Sequence, residues 1–447
     1  MDDMRLFNRA LINAKQRFMN IDKMGSRLLL LSTAVALIWA NSPWHESYTD
    51  LWATNITFNV GSFYLSNSLA HWINDGLMFF FFLLVGLEVK REVLVGELRH
   101  IKKAALPLVA ALGGMLVPGG IYIALNFGKP GFHGWGIPMA TDIAFAVGCM
   151  MILGDRVPNA LKIFLMALAI FDDIGAIIVI ALFYSTELSA FALLMAAIIL
   201  ALLIAFNRLG VRNLGLYMFL GFFLWLFFLQ SGIHATIAGV LLAFTIPGSP
   251  RYTVSKFVEE SRAIWARFVG KEYEIMPVDT QEMKAVEDMK AAVLQVQSPM
   301  RRLEDTLSPW SALFIIPVFA LANAGVNVVS SSYGLHMNHS VTIGIIGGLF
   351  LGKPIGITLF SWLAVKLKLA NFPGNTSIKG IASISILGGI GFTMSLFIIN
   401  LAFTDPFLTH QAKLGILAGS FSAAIIGILF LSLTHKHPAP AETAEKN

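Results

Sequence analysis

The sequence predicts an all-α integral membrane protein with about twelve transmembrane helices and a small external β-hairpin. Three observations support this fold class. The 447 residues are 56% hydrophobic and only 13% charged, a composition too apolar for a water-soluble chain of this length. Apolar stretches of roughly 17 to 25 residues recur from Gly25 to Leu433, and each can cross a hydrocarbon core of about 30 Å. The basic residues also cluster in alternate connections.

This distribution of basic residues predicts the orientation of the chain. The predicted spans are 25–41, 71–89, 104–127, 135–153, 159–184, 188–207, 214–230, 233–247, 309–326, 341–366, 378–401 and 411–434. With the N-terminus inside, 29 of the 32 Lys and Arg residues fall on the cytoplasmic side, as the positive-inside rule requires. Lys129 and Lys413 lie in external loops, and Lys353 falls inside the tenth span. We therefore expect an inner-membrane protein with both termini in the cytoplasm.

Residues 1–24 precede the first span. One helical face of this segment is apolar, with Phe7, Leu11, Ala14 and Phe18. This pattern favours an amphipathic helix on the inner membrane surface, and a solvated tail is the alternative. Since no small-residue cleavage site follows the first apolar run, we expect that span to be retained. Residues 25–247 then form spans one to eight, and residues 435–447 form a cytoplasmic tail.

Two connections have a pattern of their own. The external segment near residues 54–66 alternates apolar and polar residues, which predicts a β-hairpin whose edge could pair with another copy; an irregular loop is the alternative. Residues 248–307 form a polar cytoplasmic insertion with amphipathic helices. The apolar faces predicted for these helices are Phe257, Ser261, Ile264 and Phe268, then Met283, Val286, Lys290, Val293 and Val296. Ser308 as helix cap and Pro309 as first helical residue then predict where spans nine to twelve, residues 308–434, begin.

Spans three to five and ten to twelve share one plan, in which an interrupted span lies between two continuous ones. The interruptions are predicted at Gly136, Ile137, Pro138 and Thr141, and at Gly388, Gly389 and Gly391. Because span three starts inside and span ten starts outside, the two units are inverted relative to each other. Paired interruptions in inverted units are typical of a transport site near the membrane midplane, where we expect the two broken helices to cross.

Four charged residues lie deep inside predicted spans: Asp142, Asp172, Asp173 and Lys353. A carboxylate at the bilayer centre costs at least about 2.5 kcal/mol. A buried ion pair or a protonated Asp between helices would explain one such residue, but does not readily explain an adjacent pair. We therefore favour a functional role for Asp172 and Asp173.

The pair has the chemistry of a site at which a cation and protons compete. Carboxylate oxygens are hard ligands that suit Na⁺, and they are also bases. Burial and mutual repulsion both favour the protonated carboxyl, so Asp172 and Asp173 can exchange protons near neutral pH as a coupled unit. Lys353 supplies a counter-charge. Thr141 and Asp142 lie at the first interruption, where the ends of half-helices carry partial charges.

At these residues the chain resembles the NhaA family of bacterial sodium/proton antiporters, in which paired broken helices are known. Seven stretches carry the resemblance in order: LLVGLEVKRE (83–92), ATDIAFAVG (140–148), KIFLMALAIFDDIGAI (162–177), SGIHATIAGV (231–240), FALANAG (319–325), LGKPIGI (351–357) and GGIGFTMSLF (388–397). Together they extend through nearly the whole chain. The insertion at 248–307 is longer than the usual loop of the family, which affects the expected pH profile more than the substrate.

The resemblance implies a pH-regulated, electrogenic antiporter of the bacterial inner membrane that exports Na⁺, or Li⁺, while more protons enter, without a cofactor and without enzymatic activity. It implies that Asp172 and Asp173 bind the ion and carry protons, with Lys353 as counter-charge and Thr141 and Asp142 at the helix crossing. Residues implied in alkaline activation near the cytoplasmic funnel are Glu88, Arg91, Glu92, His234 and Glu304. A homodimer joined through the external hairpin is a further implication.

The residues alone leave alternatives open. Glu88, Arg91 and Glu92 could equally be an ordinary positive-inside flank with local i, i+4 pairs, and His234 could be a packing residue. A sodium-coupled solute symporter would use similar broken helices, but should add a group for the solute. An intramembrane aspartyl protease needs its two Asp on different helices, and a channel needs no inverted repeat. The positive net charge is not a sign of a nucleic-acid partner, and we expect none. In a membrane protein the distribution of basic residues matters more than their sum.

Overall fold

The computed structural model describes residues 21, 23–60, 63–99, 101–185, 188–266, 280–327, 339–374 and 376–434. The predicted amphipathic face near the N-terminus, part of the cytoplasmic insertion and the C-terminal tail lie outside the described residues. In chain order the elements are α1 (Lys23–Ala40), α2 (His45–Ala53), β1 (Asn55–Val60), β2 (Phe63–Ser68), α3 (Leu69–Leu94), α4 (Ile101–Asn126), a 3₁₀ segment (Pro130–Met139), α5 (Ile143–Leu153), α6 (Asn159–Phe183), α7 (Ala190–Arg208), α8 (Leu214–Leu229), α9 (Thr236–Thr245), α10 (Val254–Trp265), α11 (Thr280–Val296), α12 (Pro299–Asn323), α13 (Ser340–Lys366), α14 (Ile378–Gly388), α15 (Phe392–Ala402) and α16 (Pro406–Thr434).

The described helices include eight that are at least 18 residues long and apolar enough to cross a membrane: α1, α3, α4, α6, α7, α12, α13 and α16. Two bent pairs bring the number to ten if each pair counts as one span. Helices α8 and α9 are also apolar, but have only 16 and 10 residues, and therefore rise by only about 24 and 15 Å. A multi-pass membrane protein is thus confirmed, with eight to ten span candidates by length.

The two predicted interruptions are confirmed. The 3₁₀ segment and α5 meet at 43°, and α14 and α15 meet at 53°. At the first break, Ala140 and Asp142 have extended backbone conformations. At the second break, a side chain on Gly389 would overlap the backbone carbonyl of Leu349 in α13. The break therefore requires glycine where α13 passes closest to it.

Helix α12 begins earlier than expected. The Ser-Pro pair occurs twice in this part of the chain, at residues 298–299 and 308–309, and the first copy starts the helix. The Ser298 hydroxyl accepts a hydrogen bond from the backbone N–H of Arg301 at 3.2 Å. The prediction of a start at Ser308 and Pro309 was wrong. Pro309 instead lies inside α12, two residues before a π-helical stretch, Ser311–Ile315. Such a stretch is one way in which a long helix accommodates a residue that donates no backbone hydrogen bond.

Strands β1 and β2 pair antiparallel, with Asn55 opposite Ser68 and Val60 opposite Phe63. They lead directly into α3, so one end of α3 lies beside the strands and the other carries Arg91. We call these two ends of the molecule the strand end and the Arg91 end.

The described part of the insertion contains α10 and α11, which pack on each other through Ile264, Ala285 and Ala292. The face predicted for α10 is confirmed at Phe257 and Ile264. The face predicted for α11 was wrong, because Met283 and Val286 are more than half exposed. Small alanines allow the two helices to approach closely, and the larger apolar residues point away.

Candidate ion-binding site

The two breaks contact each other directly. The backbone N–H of Asp142 donates to the carbonyl of Ile390 at 2.6 Å, and the Thr141 hydroxyl lies 3.0 Å from the carbonyl of Gly388. Farther along, the Ser395 hydroxyl donates to the carbonyl of Ile137 at 2.7 Å. Backbone groups left free by each interruption thus find partners on the other broken helix, as buried polar groups require.

Asp142 caps two half-helices at once. One carboxylate oxygen accepts from the backbone N–H of Phe145 at 2.9 Å. The other accepts from the backbone N–H of Thr393 at 2.9 Å and from its hydroxyl at 2.6 Å. Phe145 lies in the first turn of α5 and Thr393 in the first turn of α15. A single carboxyl group therefore faces the positive ends of both helix dipoles.

Asp172 forms an ion pair with Lys353 that is closed to solvent. Lys353 Nζ lies 2.6 Å from Asp172 Oδ2, and both side chains are 0% exposed. Thr141 completes the arrangement, because its hydroxyl accepts from Lys353 and lies 2.6 Å from the same Asp172 oxygen. That hydroxyl has one proton, so it can donate either to Asp172 or to the Gly388 carbonyl. The other oxygen of Asp172, Oδ1, is buried and has no hydrogen-bond partner.

Asp173 has a different environment from its neighbour. It is 2% exposed, and its Oδ1 atom is buried without a hydrogen-bond partner. Of the two carboxylates, only Asp173 lines the adjacent cavity. The turn of about 100° between adjacent helical residues thus places one carboxylate in the ion pair and the other at the cavity wall.

The cavity has a volume of about 420 Å³ and extends from the helix crossing to the Arg91 end of the molecule. Thr141, Asp142 and Asp173 line its inner part, while Glu88, Arg91 and Glu92 line the part near the end of α3. Arg91 and Glu92 have side chains that are 33% and 19% exposed. The cavity thus connects partly exposed residues near the end of α3 with Asp173, and its wall carries carboxylates.

Two layers of side chains lie between the cavity and the strand end. Phe82 of α3, Phe319 of α12 and Phe397 of α15 form a buried aromatic layer, with ring centroids 5.2 Å apart for Phe82 and Phe397 and 6.4 Å apart for Phe319 and Phe397. All three helices also line the cavity. The apolar rings leave no polar group for an ion to bind.

The second layer consists of three asparagines from the same helices. The Asn323 amide donates to the Asn74 oxygen at 2.8 Å, and the Asn400 amide donates to the Asn323 oxygen at 2.8 Å. Asn323 also donates to the carbonyl of Phe319 at 2.9 Å. The sequence analysis missed these residues and Thr393, because uncharged polar residues in a span cost too little to stand out. The position of Thr393 two residues after Gly391 was the available signal.

Four of the five residues implied in the pH response lie together at the Arg91 end. Arg91 lies 3.1 Å from Glu92 and 3.1 Å from Glu304, and Glu88 lines the same cavity. His234 lies elsewhere, so its expected position at the funnel was wrong. Its Nε2 atom is 2.8 Å from the carbonyl of Tyr184, at the end of α6. His234 lies just before α9, a short helix that packs along α3. This places His234 near the end of α3 that adjoins the strands.

The chain was compared with known proteins. Residues 16–431 match the sequence model of the family described as Na⁺/H⁺ antiporter 1. The chain is 48% identical over 419 residues to the Na(+)/H(+) antiporter NhaA of Wolinella succinogenes, covering 93% of this chain and 92% of the relative. It is 47% identical over 433 residues to the Na(+)/H(+) antiporter NhaA of Helicobacter pylori strain G27, covering 95% and 96%. It is 46% identical over 421 residues to that of Koribacter versatilis, covering 94% and 91%. The chain belongs to the NhaA family of Na⁺/H⁺ antiporters.

Proposed function

We propose that the exchange of Na⁺ for H⁺ takes place at Asp172 and Asp173, with Lys353 as a competitor of the ion. The observation that carries this proposal is that the two adjacent carboxylates have different surroundings. Asp172 forms a solvent-free pair with Lys353 at 2.6 Å, and Asp173 lines the cavity. Each carboxylate has one buried oxygen without a hydrogen-bond partner. These two oxygens are free to accept a cation.

The cycle begins when Na⁺ enters from the Arg91 end and reaches Asp173, which gives up its proton. The ion then attracts Asp172 away from Lys353, and the ammonium, left without its counter-charge in a dry site, releases a proton. Both steps follow from the cost of keeping an unpaired charge out of water. When the site opens to the strand end, Na⁺ leaves and two protons return, one to Asp173 and one to Lys353.

This scheme moves two protons for each Na⁺, so one net charge crosses the membrane in each cycle. Exchange is electrogenic in this scheme because two of the three titratable groups, Asp173 and Lys353, each exchange one proton for every Na⁺ bound. Li⁺ is a smaller hard cation that prefers the same oxygen ligands, and it is proposed as a second substrate.

The proposed topology has about twelve spans, with α8 and α9 as the two shortest, both termini in the cytoplasm of a bacterial cell, and spans three to five inverted relative to spans ten to twelve. The contact between the two breaks supports this arrangement. The β1–β2 hairpin then lies outside the inner membrane, where pairing with a second copy would form a homodimer.

Alkaline activation is proposed to act through Glu88, Arg91, Glu92 and Glu304. Their ion pairs join α3 to α12 at the cavity mouth, so a change of protonation there alters how these helices meet. His234 would act separately, from the start of α9.

The test uses everted membrane vesicles that hold a proton gradient. Addition of Na⁺ or Li⁺ should dissipate the gradient, and K⁺ should not. Asp172→Asn and Asp173→Asn should each abolish the response while the protein still inserts. Asp75→Asn is the matched control, because Asp75 also lies in an apolar helix but pairs with His71 outside the cavity. Normal Na⁺ exchange in either site variant would remove that residue from the mechanism.

A further inference from the structure

A second cavity lies apart from the ion site, where the connection between α7 and α8 meets the end of α11 and the start of α12. Its volume is about 570 Å³. Three arginines line it: Arg212 from the connection, Arg251 from the segment before α10, and Arg302 from the first turns of α12. No acidic residue of the described part of the chain lines this cavity. We call it the arginine pocket.

Hydrogen bonds anchor the segments that carry these arginines. The Nη2 atom of Arg212 donates to the Ser249 hydroxyl at 3.4 Å. The backbone N–H of Arg251 donates to the carbonyl of Gln295 at 3.0 Å, which fixes it to the last turn of α11. Arg302 lies on a helix whose start is capped by Ser298. The three arginines therefore reach the cavity from three anchored segments.

Among the described residues, none of the three pocket arginines forms an ion pair, and no carboxylate lines the pocket. Arg212 Nη1 is buried and makes no hydrogen bond, which is costly for a charged donor. Other arginines in this region do have carboxylate partners: Arg91 lies 3.1 Å from Glu304, and Arg301 lies 3.1 Å from Asp305. Like charges that share a pocket repel each other, so the arrangement favours a bound anion.

We propose that the arginine pocket binds a phosphate group, supplied either by the headgroup of an anionic phospholipid or by a soluble phosphate. A guanidinium presents a planar fork of donors that matches phosphate oxygens two at a time. Three forks from different directions suit a tetrahedral anion, whereas a planar carboxylate is satisfied by one. The bound phosphate would bridge the insertion and the α7–α8 connection, which otherwise meet around an unneutralised cavity.

The experiment measures binding to purified, delipidated full-length protein at constant ionic strength. The two readouts are the shift in the midpoint of thermal unfolding and a ligand titration that gives the dissociation constant. One arm adds inorganic phosphate with chloride as reference. The other adds phosphatidylglycerol with phosphatidylcholine as reference. Arg212→Gln and Arg302→Gln should each weaken binding by about 10- to 100-fold, the change expected for one charge-assisted hydrogen-bonding partner. Arg208→Gln is the matched control, since Arg208 is exposed at the end of α7 and lies outside the pocket.

Each outcome is decisive. Stabilisation by inorganic phosphate that is lost in the pocket variants and kept in Arg208→Gln supports a soluble ligand, and the same pattern with phosphatidylglycerol alone supports a lipid headgroup. Equal loss in Arg208→Gln, or no stabilisation by either probe, overturns the proposal. If a glutamine variant does not fold, Arg302→Lys replaces it, because lysine keeps the charge, removes the fork and should weaken binding by a smaller factor.

Discussion

The buried pair between Lys353 and Asp172 makes a quantitative prediction for a double-mutant cycle. The two atoms are 2.6 Å apart and both side chains are 0% exposed. Removing one partner of such a pair leaves the other charge uncompensated and costs about 3 to 5 kcal/mol, whereas replacing both by neutral residues of similar volume is often close to neutral. Lys353→Met combined with Asp172→Asn should therefore cost less than either single substitution, with a coupling energy of about 3 kcal/mol or more.

The assay is the apparent midpoint of thermal unfolding of purified protein in detergent, followed by tryptophan fluorescence at one scan rate. Each single variant should lose on the order of 5 °C, and the double variant should recover most of that loss. Arg301→Gln with Asp305→Asn provides the control cycle. That pair is also close, at 3.1 Å, but its side chains are 41% and 36% exposed, so its coupling should stay below about 1 kcal/mol. Additive losses at Lys353 and Asp172 would refute the reasoning.

Three further predictions concern the ion site, the crossing of the broken helices, and the side-chain layers between the cavity and the strand end. The apparent KM for Na⁺ should rise about tenfold for each unit that the pH falls if one proton competes with the ion, and about 100-fold if two compete; a KM independent of pH would contradict competition at the carboxylates. Asp142→Asn should lower stability by about 2 to 4 kcal/mol, because the amide cannot accept from both helix starts; unchanged thermal unfolding would contradict its capping of α5 and α15. Asn323→Ala combined with Phe319→Ala should increase labelling, from the strand end, of a cysteine placed at Met394 in a Cys149→Ser background, and Asn126→Ala should not. Equal labelling in both would show that the asparagine and aromatic layers do not seal the site.

The sequence was most informative where the chain violates the rules of its environment. Asp172 and Lys353 stand out because a charge in an apolar span is expensive. Gly389 and Pro138 stand out because they interrupt helices that otherwise have no reason to end. Both signals are local, so a single sequence is enough to detect them.

Other features depend on how helices pack, which a periodic pattern does not specify. The sequence placed Asp172 and Asp173 about 100° apart on one helix, but the packing of α6 decides which of them faces the cavity. The start of α12 was ambiguous for a similar reason, because Ser298 and Ser308 precede proline equally well. In α11 the pattern favoured Met283 and Val286 as part of the buried face, whereas the residues buried against α10 are Ala285 and Ala292, with Met289 partly buried beside them.

The adjacency of the two carboxylates gives the site a property that neither residue has alone. Asp173 lines the cavity, whereas Asp172 forms a solvent-free ion pair with Lys353. Thr141, at the helix crossing, contacts both members of that pair. A cation at Asp173 lies one residue away from Asp172, so its charge acts on the buried pair without having to reach Lys353 itself. Because Thr141 can donate either to Asp172 or to the carbonyl of Gly388, release of Lys353 also changes a contact between the two broken helices. In the proposed cycle, occupancy of the cavity is thereby coupled to the two broken helices, the part of the fold expected to move when the site opens to the other side.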